Sequence, residues 1–379
     1  MGAIPTSSTI FIAKDCVPGD ENETSPFVYM TKPPEKKSSY LLKDQNLNLA
    51  VQRLIQDAGS SEDADLLIQM VTTVLKLQDE KVERGDLKIL NTTLKELRWA
   101  FRVYRPYRSL RKVCIFGSAR TPKQSPAYTA AREFGALMVK SGWMVVTGGA
   151  GGIMGAGNEG AGRASSFGAN ILLPFEQAAN PVVANDKKLI NFRYFFTRKL
   201  IFVKESDAIC LFPGGFGTLD EGFEVLTLIQ TGKMMPRPIV MVEPGRSRYW
   251  QSWLRFIHTA ILKHGLIDEF DMDLFQMVRT PEQAQKIILD FYRNYHSMRF
   301  VGEQLVIRIK NELSKEALKR LNLKFKDIIV KGRLEASGPL PAEASEHELA
   351  EFPRLVFHFN RKSYGRLTQM IDTINKTGG

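Results

Sequence analysis

A chain of 379 residues exceeds one ordinary domain, and two or three are expected. Its 44% apolar and 25% charged content is that of a soluble globular protein, and no apolar stretch approaches the length of a membrane span. The formal charge is +11, balanced over residues 1–110 and concentrated in 111–300, so an anionic partner is compatible.

Residues 1–45 read as a loosely ordered arm, with Lys32-Pro33-Pro34-Glu35-Lys36-Lys37 typical of its composition. Its start, from Met1 to Thr6, fits a short N-myristoylation pattern of a kind that arises often by chance. Residues 46–110 form a helical segment, with helices over 47–58, 63–82 and 87–103. In the last of these Leu87, Leu90, Leu94, Leu97 and Phe101 keep one face apolar.

From residue 111 the pattern becomes short apolar strands, at 113–118, 144–147, 171–175, 208–212 and 239–242, alternating with helices. The helices begin near Ala127, Gly152, Arg198, Thr218 and Tyr249. Continuous apolar strands between helices predict a doubly wound, Rossmann-like α/β domain with a parallel sheet over residues 111–298. Residues 299–379 predict a small α+β domain, with strands at 304–310, 327–335 and 354–360 and helices at 315–321 and 364–374. The Pro-, Ala-, Ser- and Glu-rich stretch 337–351 reads as an exposed loop.

Three cysteines, Cys16, Cys114 and Cys210, include no closely spaced pair, and the five histidines are scattered, so no metal is expected. Cys114 and Cys210 lie in apolar strands and read as buried thiols of a cytoplasmic protein. No cofactor is expected either.

Parallel sheets of this class bind ligands at the carboxyl ends of their strands. Two strand ends here run through glycine-rich turns into helices: Thr147-Gly148-Gly149-Ala150-Gly151-Gly152-Ile153-Met154-Gly155 and Pro213-Gly214-Gly215-Phe216-Gly217-Thr218-Leu219-Asp220-Glu221. Glycine permits close ligand approach, and a helix start offers unpaired N–H groups, which together suit a phosphate. No NTPase P-loop pattern is present. Met154 stands where a dinucleotide fingerprint needs its third glycine. Thr218 and Glu221 also have the spacing of a helix capping box. That alternative leaves the three glycines of the turn unexplained, and also the basic pair Arg198-Lys199 at a helix start, where the dipole disfavours cations.

At these residues the sequence resembles the Lonely Guy family of phosphoribohydrolases, often labelled lysine decarboxylases. The family's GGxxGxMG and PGGxGTxxE signatures stand here at 148–155 and 213–221. The match extends through Leu173-Pro174-Phe175-Glu176-Gln177, Asn180-Pro181, Phe192 to Lys199 and Leu226 to Lys233. The resemblance covers about residues 111–295. It implies hydrolysis of the N-glycosidic bond of nucleoside 5′-monophosphates and a homodimer with sites near the subunit interface. By motif position it makes Arg198 and Glu221 the catalytic pair, and Gly214, Gly215, Gly217 and Thr218 the phosphate loop. Gly148, Gly149 and Lys199 are further expected contacts to phosphate or ribose, with Ser118 and Arg120 weaker ones.

Two other functions compete. A protein of this fold can bind a nucleotide as a sensor or carrier without cleaving it. Residues 98–112, Arg98-Trp99-Ala100-Phe101-Arg102-Val103-Tyr104-Arg105-Pro106-Tyr107-Arg108-Ser109-Leu110-Arg111-Lys112, interleave six basic residues with aromatics, as nucleic-acid-binding segments do. A helix end docking its aromatics on the core, with its arginines outward, is the preferred reading of that stretch.

Overall fold

The computed structural model describes residues 40–59, 62–174, 178–344 and 346–377. The expected arm as far as residue 39, Cys16 and residues 175–177 lie outside the described residues. Three helices come first, α1 (Gln45–Asp57), α2 (Ala64–Asp79) and α3 (Arg84–Tyr104). The apolar stripe expected to anchor α3 does so only at its end. Leu87, Leu90 and Leu94 are exposed, and the buried face is Glu96, Ala100 and Tyr104, each one turn from the next.

The next segment builds a sheet of seven parallel strands: β1 (Lys112–Phe116), β2 (Met144–Thr147), β3 (Ser166–Ile171), β4 (Leu189–Phe192), β5 (Ala208–Leu211), β6 (Ile239–Val242) and β7 (Gln276–Val278). Their spatial order is β4-β3-β2-β1-β5-β6-β7. Strands β1, β2, β5 and β6 are buried at every position, Cys114 and Cys210 included. This is the doubly wound α/β fold. The connecting helices are α4 (Pro126–Lys140), α5 (Gly152–Ala161), α6 (Phe195–Lys204), α7 (Phe216–Gln230), α8 (Tyr249–Phe256) and α9 (Pro281–Phe291). The chain steps outward from β1 to β4, then returns to set β5 on the other side of β1. Connections therefore diverge between β1 and β5, where such a sheet opens its binding crevice.

Not every strand announces itself. The strand expected at 171–175 ends where it was to begin. Its true residues, Ser166-Phe167-Gly168-Ala169-Asn170-Ile171, set Gly168 and Asn170 among the apolar ones and break the continuous apolar run of a buried strand. They fit an inner strand because a Cβ on Gly168 would meet Leu189 Cδ1 at 2.8 Å, and because Asn170 donates to Asn191 Oδ1 of β4 at 3.0 Å. The edge strands β4 and β7 have four and three residues and were not foreseen.

A second sheet, antiparallel, has the order β10-β11-β9-β8. It comprises β8 (Tyr295–Val301), β9 (Gln304–Ile309), β10 (Ile329–Ser337) and β11 (Arg354–Phe359), with α10 (Lys315–Lys324) and α11 (Tyr364–Thr377). The unforeseen β8 starts ahead of the expected boundary at residue 298. Helix α11 docks on the end of α7, where a Cβ at Gly232 (φ +70°) would meet the Tyr364 hydroxyl at 2.2 Å. The stretch 337–351 is not simply an exposed loop. Glu343 is buried, accepting from Arg308 Nε at 2.9 Å and Arg354 Nε at 3.3 Å, and Glu346 pairs with Arg299 and Arg308. Arg308 and Arg354 are buried, and unpaired they would be costly.

No helix among the described residues is long and apolar enough to cross a membrane. Helices α4 and α5 touch backbone to backbone. A Cβ on Gly135 would lie 2.4 Å from the Gly157 carbonyl oxygen, and one on Gly160 would lie 1.8 Å from that of Arg132. Gly160→Ala should therefore cost about 1–3 kcal/mol or more in urea unfolding. An unchanged midpoint would show that the two helices separate freely.

Candidate active site

Three loops meet at the crevice and are tied by backbone hydrogen bonds. The Ser118 N–H, just past β1, donates to the Pro213 carbonyl past β5 at 3.1 Å. The Ser118 carbonyl accepts from the Ile153 N–H at the start of α5 at 3.0 Å. Ser118 Oγ accepts from the Arg120 N–H at 3.1 Å, while the Arg120 side chain is exposed. Ser118 therefore sits between both glycine loops, with its hydroxyl proton free to be donated.

The two glycine loops differ in kind. In the first, the fold itself requires Gly148, Gly149 and Gly152, the last with φ +58° and a Cβ that would lie 2.2 Å from the Ser118 carbonyl oxygen, whereas Gly151 and Gly155 make only ordinary contacts. Gly149 has φ +73°, its N–H donates to Thr147 Oγ1 at 3.0 Å, and its carbonyl accepts from the Asn180 N–H at 2.7 Å. A Cβ on Gly148 would strike Met154 Sδ at 2.6 Å. Asn180, for which the sequence reading had no role, locks this loop. Its Nδ2 donates to the carbonyls of Gly149 and Ala150 at 3.0 and 3.1 Å and to Asn158 Oδ1 at 3.0 Å. The Gly149 N–H is thus occupied internally.

In the second loop Gly214 is needed by the fold, since a Cβ there would lie 2.1 Å from Thr218 Oγ1. Gly215 and Gly217 are not: a Cβ on either meets nothing within 4 Å, and Gly215 has an ordinary φ of −89°. Bare backbone beside empty space is what a close-lying ligand requires. Gly215 is the N-cap of α7 and no side chain caps the helix, so the capping box open to Thr218 and Glu221 does not form. The first N–H groups of α7 are left for solvent or an anion. The Gly214 carbonyl accepts from the Tyr249 hydroxyl at 2.7 Å, a contact the sequence did not signal. Carbonyl and N–H of one trans peptide point opposite ways, so this bond also fixes the Gly215 N–H.

Thr218 and Glu221, one turn apart on α7, are both buried, Glu221 at 3% exposure. Facing them are Arg198 and Lys199 in the first turns of α6, which starts at Phe195 rather than at Arg198 as expected. Arg198 Nη2 lies 4.0 Å from Glu221 Oε1. The Arg198 guanidinium rests over the Phe195 and Phe202 rings at 4.8 and 5.4 Å, and its buried Nε has no partner. Lys199, expected on a substrate phosphate, lies instead among carboxylates. Its Nζ is 2.9 Å from Asp220, 3.2 Å from Glu221 and 2.7 Å from Glu224.

Burial dominates the electrostatics. It pushes the Glu221 carboxyl up to about 7 although Lys199 and Arg198 oppose the rise. Burial lowers Arg198 against the pull of Glu221. Burial would lower Lys199 too, but Glu221, Glu224 and Asp220 together hold it raised. The site thus holds a carboxyl group poised between its charge states near neutrality, the condition for acid–base or charge-stabilising work.

In the basic and aromatic stretch 98–112 most aromatics turn inward, while Arg98, Arg102, Arg105 and Arg108 are exposed. Tyr104 stacks on Phe167 at 4.4 Å, Tyr107 meets the same ring edge-on at 5.2 Å, and Phe101 packs on the core. Arg111 lies over Tyr292 and pairs with Asp207 at 3.2 Å. Trp99 alone among the four aromatics is exposed. The aromatics thus dock as a helix end with the arginines outward.

Residues 154–288 match the family model described as possible lysine decarboxylase. The probable cytokinin riboside 5′-monophosphate phosphoribohydrolase LOGL5 of Oryza sativa is 30% identical over 40% of this chain, which spans only 61% of that protein's length. The cytokinin riboside 5′-monophosphate phosphoribohydrolase LOG3 of Arabidopsis thaliana is 27% identical, over 48% of this chain and 83% of that one. The Mycobacterium tuberculosis protein named cytokinin riboside 5′-monophosphate phosphoribohydrolase is 32% identical, over 44% of this chain and 87% of that one. Among solved structures, the molybdenum cofactor binding protein of Rippkaea orientalis aligns at 20% identity with a TM-score of 0.35, over 48% of this chain and 94% of that one. With both glycine signatures in place and most of the mycobacterial relative spanned at that identity, the chain belongs to the Lonely Guy family.

Proposed function

We propose that the protein hydrolyses the N-glycosidic bond of nucleoside 5′-monophosphates, cytokinin ribotides among them, to free base and ribose 5-phosphate. The observation that carries this reading is a buried Arg198, its Nε without a partner, beside a buried Glu221 whose carboxyl titrates near neutrality. Both lie next to an uncapped helix start with open space over Gly215 and Gly217. The names of the family relatives agree with it.

In this scheme the N–H groups from Gly215 to Gly217 and the Thr218 hydroxyl take the 5′-phosphate. Glu221 lies beneath the pentose. As the C1′–N bond breaks, its electron pair leaves with the base and positive charge builds on the sugar. The ionised Glu221 stabilises that charge and orients the water whose oxygen bonds to C1′, while the water's proton ends on the departing base. Arg198 holds the phosphate or assists the base. Lys199 acts through Glu221 as a positioning residue, keeping part of that carboxyl ionised. Phosphate binding far from the reacting bond fixes the geometry at C1′. Phe195 and Phe196 on α6 and Phe216 and Phe223 on α7 are exposed, Phe216 at 94%, and we assign these apolar side chains to contact with the second subunit of a homodimer.

Incubation with a panel of nucleoside monophosphates should release free base and reducing sugar. Tight binding with no release would instead establish the sensor or carrier reading. Because Glu221 must be ionised, kcat/KM should fall tenfold per pH unit below about 7. A limb near 6 would belong to the substrate phosphate, whose second ionisation lies about there.

Glu221→Gln should lose about two or more decades in rate and yet be more stable. A folded-state carboxyl raised to about 7 from an ordinary 4.5 costs the fold nothing below 4.5, where both states are protonated. The cost builds as pH rises to 7 and is constant above. The variant's thermal advantage should follow that curve to roughly 3 kcal/mol at pH 8. A variant less stable at pH 8 would mean that the carboxylate is structural.

A further inference from the structure

Glu96 is a buried carboxylate on α3, outside the parallel-sheet unit, and no lysine or arginine pairs with it among the described residues. Its two oxygens are both used on the start of α6. Oε1 accepts the Arg193 N–H at 2.7 Å, and Oε2 accepts the Thr197 hydroxyl at 2.5 Å. Helix α6 needs such a partner. Its N-cap, Tyr194, offers no side-chain hydrogen bond and its first turn contains no acid. Two cations, Arg198 and Lys199, follow immediately, where the positive end of the helix dipole disfavours them. Glu96 supplies from another helix the negative charge that α6 lacks, through the Arg193 N–H just ahead of the N-cap and the Thr197 hydroxyl in the first turn. It grips residues 193 and 197, on either side of the helix start, and the second of these directly precedes Arg198.

The placement of Glu96 goes against the sequence pattern of α3. The stripe Leu87, Leu90 and Leu94 is left exposed, while the face carrying Glu96, Ala100 and Tyr104 turns inward. Tyr104, stacked on Phe167 of β3, sets the rotation of α3 that brings Glu96 to α6. We propose that Glu96 is a positioning residue for Arg198, so that the N-terminal helical segment forms part of the active-site framework through this contact. The proposal rests on the reading of Arg198 given above.

A double-mutant cycle tests it, using Glu96→Ala and Arg198→Ala singly and together in the full chain, with hydrolysis of adenosine 5′-monophosphate as the readout. Glu96→Ala should lower kcat/KM by about tenfold to a hundredfold, the cost of a small misplacement at the reacting centre. It should have little further effect once Arg198 is gone. Glu96→Gln, which keeps one acceptor, should recover part of the loss. A Glu96→Ala enzyme within twofold of wild type, or an equal loss in the Arg198→Ala background, overturns the proposal. Should Glu96→Ala fail to fold, the near-isosteric Thr197→Val enters the same cycle and should lose several-fold.

If the wild-type protein cleaves no monophosphate, the functional reading fails separately. The cycle is then read in the affinity for adenosine 5′-monophosphate and in amide hydrogen exchange across residues 193–199. Exchange faster in Glu96→Ala, with affinity lost only when Arg198 is present, sustains the positioning role. Unaltered exchange refutes it.

Discussion

The site depends on the cost of keeping Glu221 out of water. An acidic side chain at 3% exposure is tolerable only if cations reach it or if it takes up a proton, and the protein arranges an intermediate state. Lys199 touches it at 3.2 Å and Arg198 stands at 4.0 Å, while burial still holds the carboxyl near 7. Any residue that moves α6 relative to α7 shifts this balance. The groups that matter at this site are therefore distributed over both helices and over the elements that fix them.

Those fixing elements share a logic. Ser118 ties the β1, β2 and β5 loops together through its backbone. Asn180 closes the first glycine loop, Tyr249 orients the second, and Glu96 holds the start of α6. Each joins an element at the switch point to one distant in sequence by a hydrogen bond to backbone. Such bonds define position closely because the peptide group cannot turn away without leaving an unmet donor or acceptor. The preorganised part of the crevice is thus mostly main chain, and the two charged side chains proposed as its reactive part come from neighbouring helices.

Much of this was legible in the sequence, and the reasons differ by element. Strands β2 and β6 are unbroken apolar runs and lie where expected. Strand β3 was misplaced because its Gly168 and Asn170 suit a buried strand only when β4 is already beside it. The glycine turns stood out, but composition could not tell which glycines the fold itself needs. Only coordinates separate Gly149, held by φ and internal hydrogen bonds, from Gly215 and Gly217, with open space above them. Arg198 and Glu221 come together as the motif implied. Lys199 went to the acidic face that Asp220, Glu221 and Glu224 share on α7 by their spacing; that α6 sets Lys199 against this face is a tertiary contact that spacing within α7 does not reveal. Nothing in the sequence marks Glu96, since its partners are a backbone N–H and a hydroxyl about a hundred positions away.

The most direct test of the account is the structure of the Glu221→Gln variant soaked with adenosine 5′-monophosphate. The account predicts the phosphate at the N–H groups of Gly215 to Gly217, the substituted side-chain amide at position 221 under C1′, and the Arg198 Nε or its terminal nitrogens engaged by the nucleotide. A nucleotide bound elsewhere, or one lying in the crevice with C1′ remote from position 221, would contradict it.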